Sequence, residues 1–160
     1  MKKISIMASV LVIFCLILAG CGSGEKATDN SAESAQKVME KGPSNASEWA
    51  AMIPDFEKIF KNGRVTDKFS GGSIEDKTAG AMFCISGVTK DEYDKYVSKA
   101  EALYPSVMSQ SIDELDGEPY GIFYAEDKTS TYTILVDLYT DPDTNELVCD
   151  ITCAMAGAHN

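Results

Sequence analysis

Residues 88–105 read VTKDEYDKYVSKAEALYP, and this stretch decides the fold because it carries the signals for both ends of a helix. Thr89 and Glu92 have the spacing of a capping box, in which each side chain satisfies a free backbone N–H at the helix start. Val88 begins a hydrophobic staple across the same cap, and Pro105 stops the helix. The helix presents six side chains on one side: Tyr93, Tyr96, Val97, Ala100, Leu103 and Tyr104. The pattern predicts a long amphipathic helix whose apolar side packs onto the rest of the domain.

Strand candidates lie on both sides of this helix, two before it and four after it. The clearest is 131–139, where apolar and mixed positions alternate with the period of a half-buried strand. The other candidates are 64–69, 79–88, 107–112, 120–125 and 147–154. The sequence therefore predicts an α+β fold, an antiparallel sheet of about five to six strands with one long and one short helix packed on one face.

The short helix is predicted near the start of the folded part, where Ser47 can cap it. Pro54 kinks this helix or restarts a second turn. Four of its side chains have helical spacing: Trp49, Met52, Ile53 and Phe56. Nearly all aromatic residues follow residue 47, so we expect a single globular domain over 47–155 and a disordered tail over 156–160.

The segment before this domain has a different composition. Residues 22–46 are rich in Gly, Ser, Ala, Asn and charged residues and contain no aromatic residue. Such a segment has too little apolar area to order itself. We therefore expect residues 21–46 to be a flexible tether.

The first residues have the layout of a signal peptide. Two lysines precede an apolar run over 4–19, which is shorter than the roughly 20 residues that span a bilayer. Residues 18–21, LAGC, resemble the lipobox of bacterial lipoproteins, in which the cysteine is lipidated and becomes the first mature residue. The resemblance implies a signal peptide over 1–20 and a diacylglycerol and palmitate anchor on Cys21, on the extracytoplasmic face of the cell membrane. There are two alternatives. The apolar run is a retained membrane helix, or it is a secretory signal in which Cys21 is incidental.

A second resemblance covers about residues 47–154. Residues 49–54, the stretch SGVTKDEYDKYV and the hairpin-joined strands after it together resemble a domain-of-unknown-function family of small lipoproteins in Gram-positive bacteria. Residues 104–106 depart from the family, which has a Gly-aromatic turn there. The resemblance implies the fold and the location, and it implies no activity.

The charge of the chain limits its partners. Removal of residues 1–20 leaves 12 basic and 25 acidic side chains, a formal charge of −13. Such a chain repels nucleic acid and anionic lipid headgroups. We therefore expect no nucleic-acid partner, a membrane contact through the lipid at Cys21, and a cationic extracellular protein or peptide as a possible partner.

No pattern in the sequence predicts a catalytic, cofactor or metal site. His159, the single histidine, lies in the predicted tail. Residues 70–73, SGGS, lack the helix and the Lys-Ser/Thr of a phosphate loop, so we interpret them as a turn. Residues 141–145 alternate oxygen ligands but lack the later Gly and Glu of a calcium loop, so we interpret them as a hairpin turn. A solvated connection is predicted for the acidic cluster Asp113, Glu114, Asp116 and Glu118.

Three thiols remain in the mature chain, because Cys15 is removed with the signal peptide and Cys21 carries the lipid: Cys84, Cys149 and Cys153. Cys149 and Cys153 share a face of one predicted strand but lie roughly 13 Å apart, too far for a mutual disulfide. Cys84 can pair with one of them if their strands are neighbours. Otherwise all three are small buried side chains.

Two classes of function stay open. The first is a binding or interaction module at the cell surface that uses a sheet face with Tyr120, Tyr124 and Tyr139. The same tyrosines can instead be half-buried core residues. The second class is an extracytoplasmic hydrolase that acts through carboxylates, although the sequence shows no nucleophile with a base.

Overall fold

The elements of the fold are given by a computed structural model, which describes residues 32–75, 78–115 and 118–157. This part of the chain forms three helices and six strands: α1 (Ala32–Lys41), α2 (Ala46–Ala51), β1 (Arg64–Gly71), β2 (Gly80–Ser86), α3 (Lys90–Leu103), β3 (Ser106–Leu115), β4 (Glu118–Glu126), β5 (Tyr132–Thr140) and β6 (Leu147–Met155). The predicted signal peptide, Cys21 and His159 lie outside the described residues.

The six strands form one antiparallel sheet in the order β1-β2-β6-β5-β4-β3. Consecutive strands are joined as hairpins except where α3 connects β2 to β3, and β6 inserts between β2 and β5. The predicted α+β fold with helices on one face of an antiparallel sheet is therefore confirmed. Each predicted strand is present, although the prediction missed one of the helices.

The capping box of α3 is present. The Thr89 hydroxyl accepts a hydrogen bond from the Glu92 backbone N–H at 3.2 Å, and the Glu92 carboxylate accepts one from the Thr89 N–H at 2.9 Å. At the other end the Tyr104 N–H still donates to the Ala100 carbonyl, and Pro105 follows. Both ends of this helix are thus set by the local sequence.

The apolar side of α3 is fixed to the sheet and to the segment after α2 by three buried tyrosines. Their hydroxyl groups donate to backbone carbonyls, Tyr93 to Val136, Tyr96 to Pro54 and Tyr104 to Met52, at 3.0–3.2 Å. Each hydroxyl is therefore satisfied inside the core, where an unpaired polar group is costly. The sheet contributes the other side of this core through six fully buried side chains of β5 and β6: Ile134, Val136, Leu138, Cys149, Ile151 and Cys153.

The prediction of a flexible tether over the whole of 21–46 is wrong, because α1 lies within it. Ala35 and Met39 of α1 are only 2% and 7% exposed and belong to the core. Gly42, at φ +83°, ends the helix by adopting the left-handed conformation that glycine tolerates. The side chain of Asn45, not of Ser47, caps α2 by accepting from the Glu48 N–H. The folded domain therefore includes residues 32–46.

Two further boundaries need correction. Of the acidic cluster that we predicted to be a connection, Asp113 and Glu114 lie in β3 and Glu118 in β4, because the hairpin strands are longer than predicted. Residue 116 lies outside the described part. The predicted tail also starts too early, because the Ala156 N–H donates to the Thr131 carbonyl at 2.9 Å. Residues 158–160 are not among those described.

Candidate functional site

The sheet has a second face, opposite the helices, which we call the open face. Along β5, the core residues Ile134, Val136 and Leu138 alternate with residues that point away from the helices. Residues that pair across neighbouring strands share a face, so the register places residues of β2, β4 and β6 on the same face as these outward residues of β5. Its half-buried members are Met82, Cys84, Tyr120, Ile122, Tyr124, Leu135, Asp137, Tyr139, Asp150 and Thr152.

The three tyrosines predicted for an interaction surface all lie on the open face. Tyr120 and Tyr124 lie on β4, and Tyr139 lies on β5. Gly121 pairs with Leu138 in antiparallel register. Tyr120, which precedes Gly121, and Tyr139, which follows Leu138, therefore lie at the same corner of the sheet. All three are half-buried, and the main core lies on the other side of the sheet. Their role in binding stays a prediction.

Two aspartates meet at the centre of the open face. Asp137 of β5 lies directly opposite Asp150 of β6, a position in which side chains are about 5 Å apart at Cβ. The Oδ1 atom of each carboxylate is buried and has no hydrogen-bond partner in the described structure. Like charges directly opposite each other destabilise a sheet, so this pair is unfavourable for the fold alone.

The aspartate pair was not predicted from the sequence. A signal was present, because Asp137 stands on the outward side of an alternating strand. The partner could not be inferred, since the pairing of β5 with β6 depends on register, which a single strand does not reveal.

Burial and the neighbouring charge control the protonation of this site. Burial and, secondly, the Asp150 carboxylate raise the pKa of Asp137 above its ordinary value. The Tyr139 hydroxyl donates to Asp150 Oδ2 at 3.1 Å. Burial and the same carboxylate raise the pKa of Tyr139 to about 12, so this tyrosine is a neutral donor at physiological pH.

Cys84 completes the surroundings of Asp150. Its register partner is Asp150, and Thr66 Oγ1 lies 3.2 Å from its Sγ. Burial, followed by its hydrogen bond to Asp150, raises the pKa of the Cys84 thiol, so it is not an activated nucleophile. Cys149 lies opposite the neighbouring Ile85 and therefore on the other face of the sheet. All three cysteines are free, and the possible Cys84 disulfide is not formed.

Acidic and apolar groups continue to the β1 edge of the open face. Asp67 lies opposite Cys84, and Phe69, which is 50% exposed, lies opposite Met82. Arg64, whose register position also falls on this face, forms an ion pair with Glu146. The face therefore presents carboxylates among aromatic and aliphatic side chains.

Residues 141–145, which resembled a calcium loop, form a turn. Asp141 Oδ1 accepts from the Asp143 and Thr144 backbone N–H groups at 2.8 and 3.3 Å, which holds the β5–β6 hairpin. The predicted hairpin turn is confirmed. The turn predicted over 70–73 starts too early, because Ser70 and Gly71 belong to β1 and only residues 72 and 73 begin the connection to β2. Across residues 32–75, 78–115 and 118–157, no group of three or more His, Cys, Asp or Glu is placed to hold a metal ion.

None of the helices in the described part of the chain combines the length and the apolar character needed to cross a membrane.

No protein-family model matches the chain, and a search of curated proteins finds no significant relative. The resemblance to small lipoproteins therefore stays a prediction from residues 18–21 and 47–154.

Proposed function

We propose that the protein is a lipoprotein held by Cys21 on the extracytoplasmic face of a cell membrane, and that its open face binds a cationic protein or peptide. The lipobox-like residues 18–21 support the anchor. The single observation that carries the binding function is the Asp137–Asp150 pair. Its two Oδ1 atoms have no hydrogen-bond partner in the described structure, and the pair lies near tyrosines on the face opposite the described helices.

The composition of the open face supports binding to a protein or peptide. Tyrosine is enriched at interfaces because its ring supplies apolar contact area while its hydroxyl group makes hydrogen bonds. Tyr120, Tyr124 and Tyr139 supply such rings, and Ile122 and Leu135 lie between them as aliphatic contacts. A ligand on this face therefore gains apolar burial beside a carboxylate pair.

The charge of the chain supports a cationic ligand. A formal charge of −13 after removal of residues 1–20 attracts cations over roughly 10 Å at 0.1 M salt. Attraction of this kind mainly accelerates association. The site charge and the total charge thus favour the same class of partner.

Selection from a random peptide library tests this function, with the protein expressed from its full sequence and purified in detergent. We expect recovered peptides to be basic, and their association rate to fall several-fold from low to physiological salt while dissociation changes little. Tyr124→Ser should weaken them, whereas Lys95→Ser on exposed α3 surface should not. Recovery of peptides with no basic bias, or equal effects of the two variants in folded protein, would contradict the proposal.

Hydrolysis is the second candidate, because the aspartate pair also resembles a pair of catalytic carboxylates. A carboxylic acid with a raised pKa suits a proton donor, and retaining glycosidases place their carboxyl groups about 5–5.5 Å apart. Turnover of a glycan or peptide that collapses in Asp137→Asn and Asp150→Asn would establish hydrolysis. Binding is the stronger candidate because it also accounts for the acidic excess and the tyrosines.

A further inference from the structure

The open face is organised in rows that run across the strands. The middle row consists of Ile122, Asp137, Asp150 and Cys84, which are consecutive register partners on β4, β5, β6 and β2. The row on one side contains Tyr124, Leu135, Thr152 and Met82. Tyr120 and Tyr139 lie on the other side of the middle row. The carboxylates therefore lie between two rows that are largely aromatic or aliphatic.

One oxygen of each aspartate has no hydrogen-bond partner in the described structure, although Asp150 is also hydrogen-bonded to Tyr139 and to the Cys84 thiol. Asp150 Oδ2 accepts from Tyr139, which holds the carboxylate in place, but Oδ1 of Asp150 and Oδ1 of Asp137 accept nothing. Buried polar atoms are normally paired, and a buried pair of like charges is more unfavourable still. A positive group between the two carboxylates would remove both penalties.

We infer that the Asp137–Asp150 pair is the subsite for one lysine or arginine side chain of the ligand, and that the residues on either side of that cation in the ligand are apolar or aromatic. This inference rests on the proposed function, because it identifies which part of the ligand the open face recognises. Tyr139 is a positioning residue that orients Asp150.

The geometry suits a single cation. A lysine ammonium has three N–H donors and an arginine guanidinium has five, so either can bridge two carboxylates. Asp137 is half-buried, and the terminal torsion of aspartate is broad, so its carboxylate can turn an oxygen toward the open side. Apolar side chains next to the cation then contact Leu135 and Tyr124 on one side and Tyr120 on the other.

Two matched peptides test the subsite against the full-length protein in detergent. One is acetylated and amidated Tyr-Leu-Lys-Leu-Tyr, and the other replaces the lysine with norleucine, which keeps the aliphatic chain and removes the charge. We expect the lysine peptide to bind at least 10-fold more tightly by calorimetry. An arginine peptide should keep this advantage, and comparison with lysine shows which cation fits better.

The protein variants complete the test. Asp137→Asn and Asp150→Asn should each remove most of the preference for lysine over norleucine. Glu101→Gln, which removes the same charge from exposed α3 surface, should leave the preference intact. Tyr139→Phe should reduce the preference less than the aspartate variants do.

The outcomes separate this inference from the proposed function. If both peptides bind equally and Tyr124→Ser weakens both, the open face binds ligands but the aspartate pair is not a cation subsite. If Glu101→Gln lowers the preference as much as Asp137→Asn, total charge and not the pair is responsible, and the inference is again wrong. If neither peptide binds, the proposed function fails together with the inference.

Discussion

Gly121 determines how closely α3 approaches the sheet. A Cβ atom at this position would lie 2.9 Å from Cε1 of the Tyr93 ring. That ring is fully buried, and its hydroxyl group donates to the Val136 carbonyl, so it cannot move aside without losing a buried hydrogen bond. A residue without a side chain is therefore required where the helix crosses β4.

We expect Gly121→Ala to destabilise the protein by about 2 kcal/mol, the usual cost of overpacking a filled core. Urea denaturation followed by circular dichroism measures the effect. A loss below about 0.5 kcal/mol, the range of surface substitutions, would show that α3 shifts easily on the sheet.

We expect the Asp137 carboxylate to lower the free energy of unfolding at neutral pH. Its pKa is raised in the folded state by burial and by Asp150, so folding favours the protonated form. The stability that its protonation contributes is fully present below the unfolded-state pKa near 3.8 and is lost as the pH rises through the raised folded-state pKa. At neutral pH the charged pair therefore opposes folding.

Asp137→Asn should accordingly stabilise the protein at pH 7 by about 0.5 kcal/mol, the scale of a like-charged cross-strand pair reduced by solvent screening. The gain should disappear below pH 3.8, as urea midpoints across pH will show. Glu101→Gln serves as the control and should be nearly neutral. A destabilising effect of Asp137→Asn at pH 7 would mean that the carboxylate has a structural partner.

At the level of elements, α1 shows how a segment of polar composition becomes part of a core. Only Ala35 and Met39 of α1 are buried, and α1 contacts both α2 and α3. The turn that follows is held by Glu48, whose carboxylate accepts hydrogen bonds from the Ser44 hydroxyl at 2.7 Å and from the Ser44 N–H at 2.6 Å. These hydrogen bonds lower the pKa of Glu48 to about 2. Helix α1 is thus stabilised by its contacts with α2 and α3 and by the hydrogen-bonded turn that joins it to α2.

Met39→Ala should cost about 2 kcal/mol, at the low end for a buried methionine because the site lies at the edge of the core. Lys37→Ala, on the exposed side of the same helix, should change stability by less than about 0.5 kcal/mol. Chemical denaturation of both variants compares them directly. Equal, negligible effects would indicate that α1 contributes nothing to the folded domain.

The elements that the sequence predicted are those whose signals are local. Alternation over 131–139 identifies a strand, and the Thr89–Glu92 cap identifies the start of α3, because each signal needs only neighbouring residues. Helix α1 was missed since its few apolar residues are buried by other elements. The Asp137–Asp150 pair was missed for a similar reason, because register joins residues on two strands.

In the whole molecule, we propose that a membrane anchor is joined to a binding face. The anchor depends on Cys21, because two or more acyl chains hold a protein on a membrane far more stably than one chain does. The face depends on the sheet, which carries the three helices of residues 32–75, 78–115 and 118–157 on its other side. The anchor and the binding face can be tested separately.

Cys21→Ala should abolish incorporation of labelled fatty acid and leave unprocessed precursor in the cell. Cys84→Ala provides the control, since it removes a different thiol that lies within the folded domain. Labelling of Cys21→Ala at the normal level would refute the lipoprotein prediction.

We expect ligands to bind the open face and not the helical side, and tyrosines lie on both sides of the sheet. The full-length protein is labelled with 3-fluorotyrosine and titrated with the peptide Tyr-Leu-Lys-Leu-Tyr, with fluorine resonances assigned by single Tyr→Phe variants. Resonances of Tyr120, Tyr124 and Tyr139 should shift with the peptide, while those of the core residues Tyr93, Tyr96 and Tyr104 should not. Saturable shifts confined to the core tyrosines, or no shifts at a peptide concentration that binds by calorimetry, would contradict the account.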